Sequence, residues 1–158
     1  MGTFANFDRV LRPATHVIFI EGRGDFPQTA GALWPAFWNH FPAIGREAVT
    51  QTLGLSGMEP GKSGDEAKIY QAGVVLKSPM QLPPGFRERT IPEGQYASFL
   101  LRGTYAKIGT AFADAFQLLA DRRVRLRPEF CIEHYLNSPA QVPEDKLLTE
   151  ILLPIEMQ

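Results

Sequence analysis

Glu133 stands near the centre of the run "EFCIEHYLNSP", residues 129–139, and a carboxylate in that position is the residue of this chain that most invites a chemical explanation. The run alternates as a β-strand does, with Phe130, Ile132, His134 and Leu136 on one face and Cys131, Glu133 and Tyr135 on the other. A carboxylate at the centre of so apolar a strand raises a question of cost. If its face is buried, removing it from water costs several kcal/mol, roughly, unless a partner inside the protein or a ligand offsets the loss. Which of the two it is, an internal partner or a ligand, decides the reading.

The other reactive types are scattered. His16, His40 and His134 have no mutual spacing resembling a zinc site, and neither a metal nor a cofactor is expected. His134 falls on the alternate face from Glu133 and reads as a core or rim histidine. Cys131, the single cysteine, shares the face of Glu133, but a lone cysteine is more commonly buried and neutral than nucleophilic. "SGMEPGKSG", residues 56–64, imitates a phosphate loop and fails. Ser56 stands where the first glycine is needed, and "DEAKIYQAGVV" then reads as a strand rather than a helix. Arg122, Arg123, Arg125 and Arg127 in "RRVRLR" could contact phosphates or an acidic partner, but they read better as a solvated helix C-terminus complementing the dipole.

Composition narrows the classes. With 44% hydrophobic and 21% charged residues the chain can bury a core and is not disordered, and 158 residues suit one domain or two half-domains sharing a core. A net charge of −1 gives no global attraction to nucleic acid or to an anionic membrane, so direct binding to either is not expected. One cysteine permits no internal disulfide. The N-terminus lacks the pattern of a signal peptide, and no apolar run nears the roughly 20 residues of a membrane span. A cytoplasmic location is the expectation.

The elements that must position Glu133 come in duplicate. At an offset of 79 residues, "RGDFPQTAGALWPAF" (23–37) overlays "RGTYAKIGTAFADAF" (102–116), with Arg23/Arg102, Gly24/Gly103, Ala32/Ala111, Ala36/Ala115 and Phe37/Phe116 identical. Asp25 and Thr104 coincide, and both types cap helices. Apolar or small residues then recur at helical spacing: Ala30, Leu33, Trp34, Phe37, Trp38 and Phe41 in the first copy, Ile108, Ala111, Phe112, Ala115, Phe116 and Leu119 in the second. Pro35 should kink the first helix or mark a late start. "THVIFIEG" precedes the first helix, and "AVTQTLGL" and "EAKIYQAGVVL" follow it; "QYASFLLR" precedes the second, and "FCIEHYLN" and "LLTEILLPI" follow that. Short links at 57–65 and 138–146 favour hairpins. The predicted fold is α+β: a tandem β-α-β-β repeat over about 14–78 and 92–156, joined by a loop at 79–91. Two antiparallel sheets, each backed by a helix, would meet about a pseudo-twofold axis with a ligand cleft between the halves. Phe130, Ile132 and Leu136 suit the helix-covered face, which leaves Cys131, Glu133 and Tyr135 pointing away from the helices.

The C-terminal runs "IPEGQYASFLLRGTYAKI" and "FCIEHYLNSPAQVPEDKLLTEILLPIE", with "IYQAGVV" as the earlier central strand, resemble the GyrI-like small-molecule-binding family, also described as the AraC-type effector-binding domain. The resemblance covers roughly residues 14–156 and implies the same tandem fold. It further implies a pocket for hydrophobic, often cationic, small molecules, with Glu133 as the pocket glutamate and Glu150 as a second one. Tyr135 would hydrogen-bond or stack, and Trp34, Trp38, Tyr96, Tyr105 and Phe112 are candidate walls, with Phe37 and Phe116 beside them. Rings supply area and a desolvated carboxylate supplies charge selectivity. The second helix lacks the tryptophan common in the family, and no helix-turn-helix fits before residue 14, so the chain is similar to stand-alone, bacterial-type members.

Three functions follow for comparison. The first is drug or effector binding, linked to transcription regulation. The second is hydrolysis of a small toxin by Glu133 with a tyrosine. The third is an interaction module of the gyrase-inhibitor kind, acting on a protein partner through a surface such as Arg122 and Arg123.

Overall fold

The computed structural model describes residues 3–40 and 46–157. Its chain divides into two compact units, one of Ala14–Pro92 and one of Met1–Pro13 with Glu93–Gln158. Each is a four-stranded antiparallel sheet with one α-helix, as the α+β reading predicts.

The Ala14–Pro92 unit contains β2 (Thr15–Arg23), α1 (Phe26–His40), β3 (Val49–Met58), β4 (Lys68–Leu76) and β5 (Arg87–Ile91), with sheet order β3-β4-β2-β5. Asp25 caps α1, its Oδ2 accepting from the Gln28 backbone N–H at 3.1 Å. The helix runs through Pro35 rather than beginning there. Phe37 is fully buried against Ile18, Tyr70 and Val74, and Leu33, Trp34 and Trp38 pack around that cluster. Phe41, assigned to the same stripe, lies outside the described residues.

In the other unit are β1 (Asp8–Arg12), β6 (Gly94–Arg102), α2 (Ile108–Asp121), β7 (Cys131–Tyr135) and β8 (Leu148–Pro154), in the order β1-β6-β8-β7. Thr104 caps a 3-10 turn, Tyr105–Lys107, that leads into α2. Ala111, Ala115 and Leu119 of the helix are buried against Phe99, Leu101, Ile151 and Leu153. Phe116 is 38% exposed and so lies at the edge of its stripe.

Strand register confirms the duplication. Ala72 faces Ile20 and Gly54, and Ile151 faces Phe99 and Glu133; each residue of the first set stands 79 positions before its counterpart. The outer strands differ from expectation. Residues 79–91 are not a loop throughout, because Arg87–Ile91 pairs with β2, and Asp8–Arg12 adds a matching strand beside β6. "RERTI" and "DRVLR" place charge where a buried strand has apolar residues, a composition that suits sheet edges.

No helix among the described residues is long and apolar enough to cross a membrane.

Candidate functional site

Glu133 lies at the middle of β7, between Ile132 and His134. Its register partner on β8 is Ile151, and Ile151 belongs to the cluster beneath α2. Directly paired residues share a sheet face. Glu133 therefore points to the helix side, as does Cys131, which packs against the same cluster. Alternation predicts Ile132 on that side, and the structure corrects it. Alternation phases a strand only when one face is polar and wet, and here Ile132 and Glu133 are both buried, at 0% and 6% exposure.

Burial has an electrostatic consequence. The Glu133 carboxyl is pushed up from 4.5 to about 7 by loss of water, and the hydrogen bond from Tyr135 opposes the shift only in part. The Tyr135 hydroxyl donates to Glu133 Oε1 at 2.7 Å. Among the described residues no lysine or arginine pairs with the carboxylate. Tyr105, carried by the 3-10 turn ahead of α2, makes a T-shaped contact with the Tyr135 ring, with centroids 5.4 Å apart. Burial raises the Tyr105 hydroxyl as well. Cys131 is held neutral, its thiol pushed up to about 12 by burial and by the nearby Glu133 charge.

Glu150 does not join this group. It pairs in register with His134 and Leu100, and so occupies the opposite face of the sheet. There Ser98 Oγ donates to its Oε2 at 2.6 Å, and His134 Nδ1 lies 3.2 Å from its Oε1. Those bonds, the histidine's first, hold the Glu150 carboxyl below its ordinary range. The two glutamates taken as one pocket are thus back to back. His134, expected on the helix side, is on this outer face too.

Tyr96 is fully buried on the same outer face, opposite Pro154, with the Arg127 guanidinium 4.9 Å above its ring. Tyr96 and Glu133 therefore lie on opposite faces of the sheet. Phe112 packs partly against the α2 cluster, with Phe116 6.3 Å away. Trp34 and Trp38 belong to the Ala14–Pro92 unit, where Trp34 Nε1 donates to the Tyr70 hydroxyl at 3.0 Å.

The arginine cluster is less free than its sequence suggests. Arg127 donates to the carbonyls of Ile155 and Gln95, each at 2.9 Å, and Arg122 donates to the Ala5 carbonyl at 2.9 Å. Arg123 adopts φ 57, just past the C-terminus of α2. These side chains fasten the chain ends to the sheet and helix. The same N-terminal segment puts Phe4 and Phe7 on Phe99, and it borders a surface hollow of about 350 Å³ shared with Ser98 and Leu100. That hollow does not reach Glu133.

Small-molecule sites set a few polar groups among aromatic side chains, and Glu133 beside Tyr135 and Tyr105 is a grouping of that kind. The family model described as the GyrI-like small molecule binding domain matches residues 6–156, and the chain belongs to that family. It is 28% identical over 104 residues, 66% of this chain and 67% of the relative, to the SPbeta prophage-derived putative transcriptional regulator YosT of Bacillus subtilis (strain 168). Among solved structures, the EcmrR C-terminal domain superposes with a TM-score of 0.72 at 15% identity, covering 96% of this chain and 99% of that one. SAV2435 bound to tetraphenylphosphonium gives 0.70 at 14% identity, covering 95% and 93%.

Proposed function

We propose that the protein binds hydrophobic cationic small molecules at Glu133, as an effector-binding or sensing protein linked to transcription regulation. The observation that carries this is the carboxylate itself: buried, titrating near neutrality, and met by one tyrosine hydroxyl instead of a cation. A lipophilic cation would supply the missing charge while Tyr135 and Tyr105 supply ring surface. Membership of a small-molecule-binding family supports the reading, as does a neighbour of the same fold bound to tetraphenylphosphonium. Glu133 stands alone among the glutamates in this role, since Glu150 is engaged on the other face.

Tetraphenylphosphonium titrated into the protein at pH 8 should bind at micromolar affinity, order of magnitude, and Glu133→Gln should weaken it by about tenfold or more. Equal affinity in the variant removes Glu133 from the site.

A second reading rests on the 2.7 Å Tyr135–Glu133 hydrogen bond, which suits proton transfer in a small-molecule hydrolase. Turnover of an ester or epoxide panel that disappears in Glu133→Gln would favour it over binding alone.

A further inference from the structure

Thr149 on β8 is fully buried, and its Oγ1 has no hydrogen-bond partner among the described residues. A buried hydroxyl without a partner is a standing loss, and native proteins rarely leave one without a reason. Its position supplies one. Thr149 pairs in register with Tyr135, which puts it on the α2 side of the sheet, one diagonal step from Glu133. Diagonal neighbours on a sheet face have Cβ atoms roughly 7 Å apart or somewhat less, a gap that one small polar head can bridge. Glu133 offers a vacant acceptor of its own, because Tyr135 occupies Oε1 and no described residue bonds Oε2.

The duplicated half acts as an internal control. The residue 79 positions before Thr149 is Tyr70, also fully buried, and its hydroxyl accepts the Trp34 indole N–H at 3.0 Å. The position matching Glu133 is Gly54, and the position matching Tyr135 is Ser56. In that half the buried hydroxyl is satisfied and a glycine stands where Glu133 is in the other. In this half both vacancies occur together.

Resting on the reading of Glu133 as the binding carboxylate, we propose that Thr149 is a second polar contact of that site, and that the two together select lipophilic primary amines over fully alkylated cations. A primary ammonium has three N–H donors and can give one to Glu133 Oε2 and another to Thr149 Oγ1. A quaternary cation has none; it meets the carboxylate by charge alone and leaves the threonine unpaired. Sites built to hydrogen-bond a group discriminate strongly against analogues that lack it.

The test uses 2-naphthylmethylamine and its trimethylammonium analogue, titrated calorimetrically at pH 8 into the full chain and into Thr149→Val and Thr149→Ser. The native protein should prefer the amine by about tenfold or more. Thr149→Val, which keeps the side-chain shape, should cut that preference below about threefold, while Thr149→Ser keeps it. Thermal melts establish that both variants are folded. Equal affinity of the native protein for the two probes, or an undiminished preference in Thr149→Val, overturns the assignment while leaving Glu133 as a general cation site. If neither probe binds the native protein and tetraphenylphosphonium also fails, the binding reading falls with it.

Discussion

Replacing Glu133 with glutamine should make the free protein more stable, and only above mildly acidic pH. The folded carboxyl titrates near 7 and the unfolded one near 4.5. Below about 4.5 both states hold the proton, and the neutral acid is buried without a charge penalty. Between the two values the folded state keeps a proton that the unfolded chain releases, so stability falls as pH rises. Above about 7 the loss is complete, at about 3 kcal/mol. Glutamine is neutral throughout. Native protein and Glu133→Gln should therefore unfold at similar denaturant concentrations near pH 4, and the variant should gain up to about 3 kcal/mol at pH 8. In a chain of this length that corresponds to about 6–12 °C in Tm. Other groups titrate over the same range, so the informative quantity is the difference between the two proteins in urea unfolding at pH 4, 6 and 8. A difference that stays constant across that range would refute the buried-carboxylate argument.

Two further outcomes follow from the geometry. Cys131, its thiol pushed up to about 12, should react with iodoacetamide at pH 8 on the order of a thousandfold more slowly than an ordinary exposed thiol, and faster in Glu133→Gln, where the neighbouring charge is gone. Gly73→Ala should cost about 1–3 kcal/mol in urea unfolding, because the added Cβ would lie 2.7 Å from Val17 Cγ1 and 2.9 Å from the Ile18 carbonyl oxygen, on a backbone that cannot yield.

The repeat was readable because Asp25 and Thr104, both capping types, precede the same apolar stripe in the two copies, and register then preserved the 79-residue offset across every strand pair compared. Edge strands β1 and β5 were not readable: an edge has no buried face to impose alternation, and Arg87, Glu88 and Arg89 look like a loop. Glu133 was singled out correctly as an unusual residue, a carboxylate inside an apolar strand. Its direction was not, since a strand buried on both sides carries no phase information. That Glu150 lies on the opposite face from Glu133 was hidden on the same ground. Two residues of one sheet share a face only through register, and register emerges from hairpin geometry that spacing alone does not specify. Thr149 left no signal beyond its place in "LLTEILLPI", because an unpaired hydroxyl becomes visible only when everything around it is packed.

Calorimetry of tetraphenylphosphonium binding at pH 6, in two buffers of different ionisation enthalpy, tests the role of Glu133 most directly. With a carboxyl that titrates near 7, about 0.9 proton should leave per cation bound at pH 6, falling toward 0.1 at pH 8, with no such release from Glu133→Gln. Heat independent of buffer, together with unchanged affinity in the glutamine variant, would contradict the account.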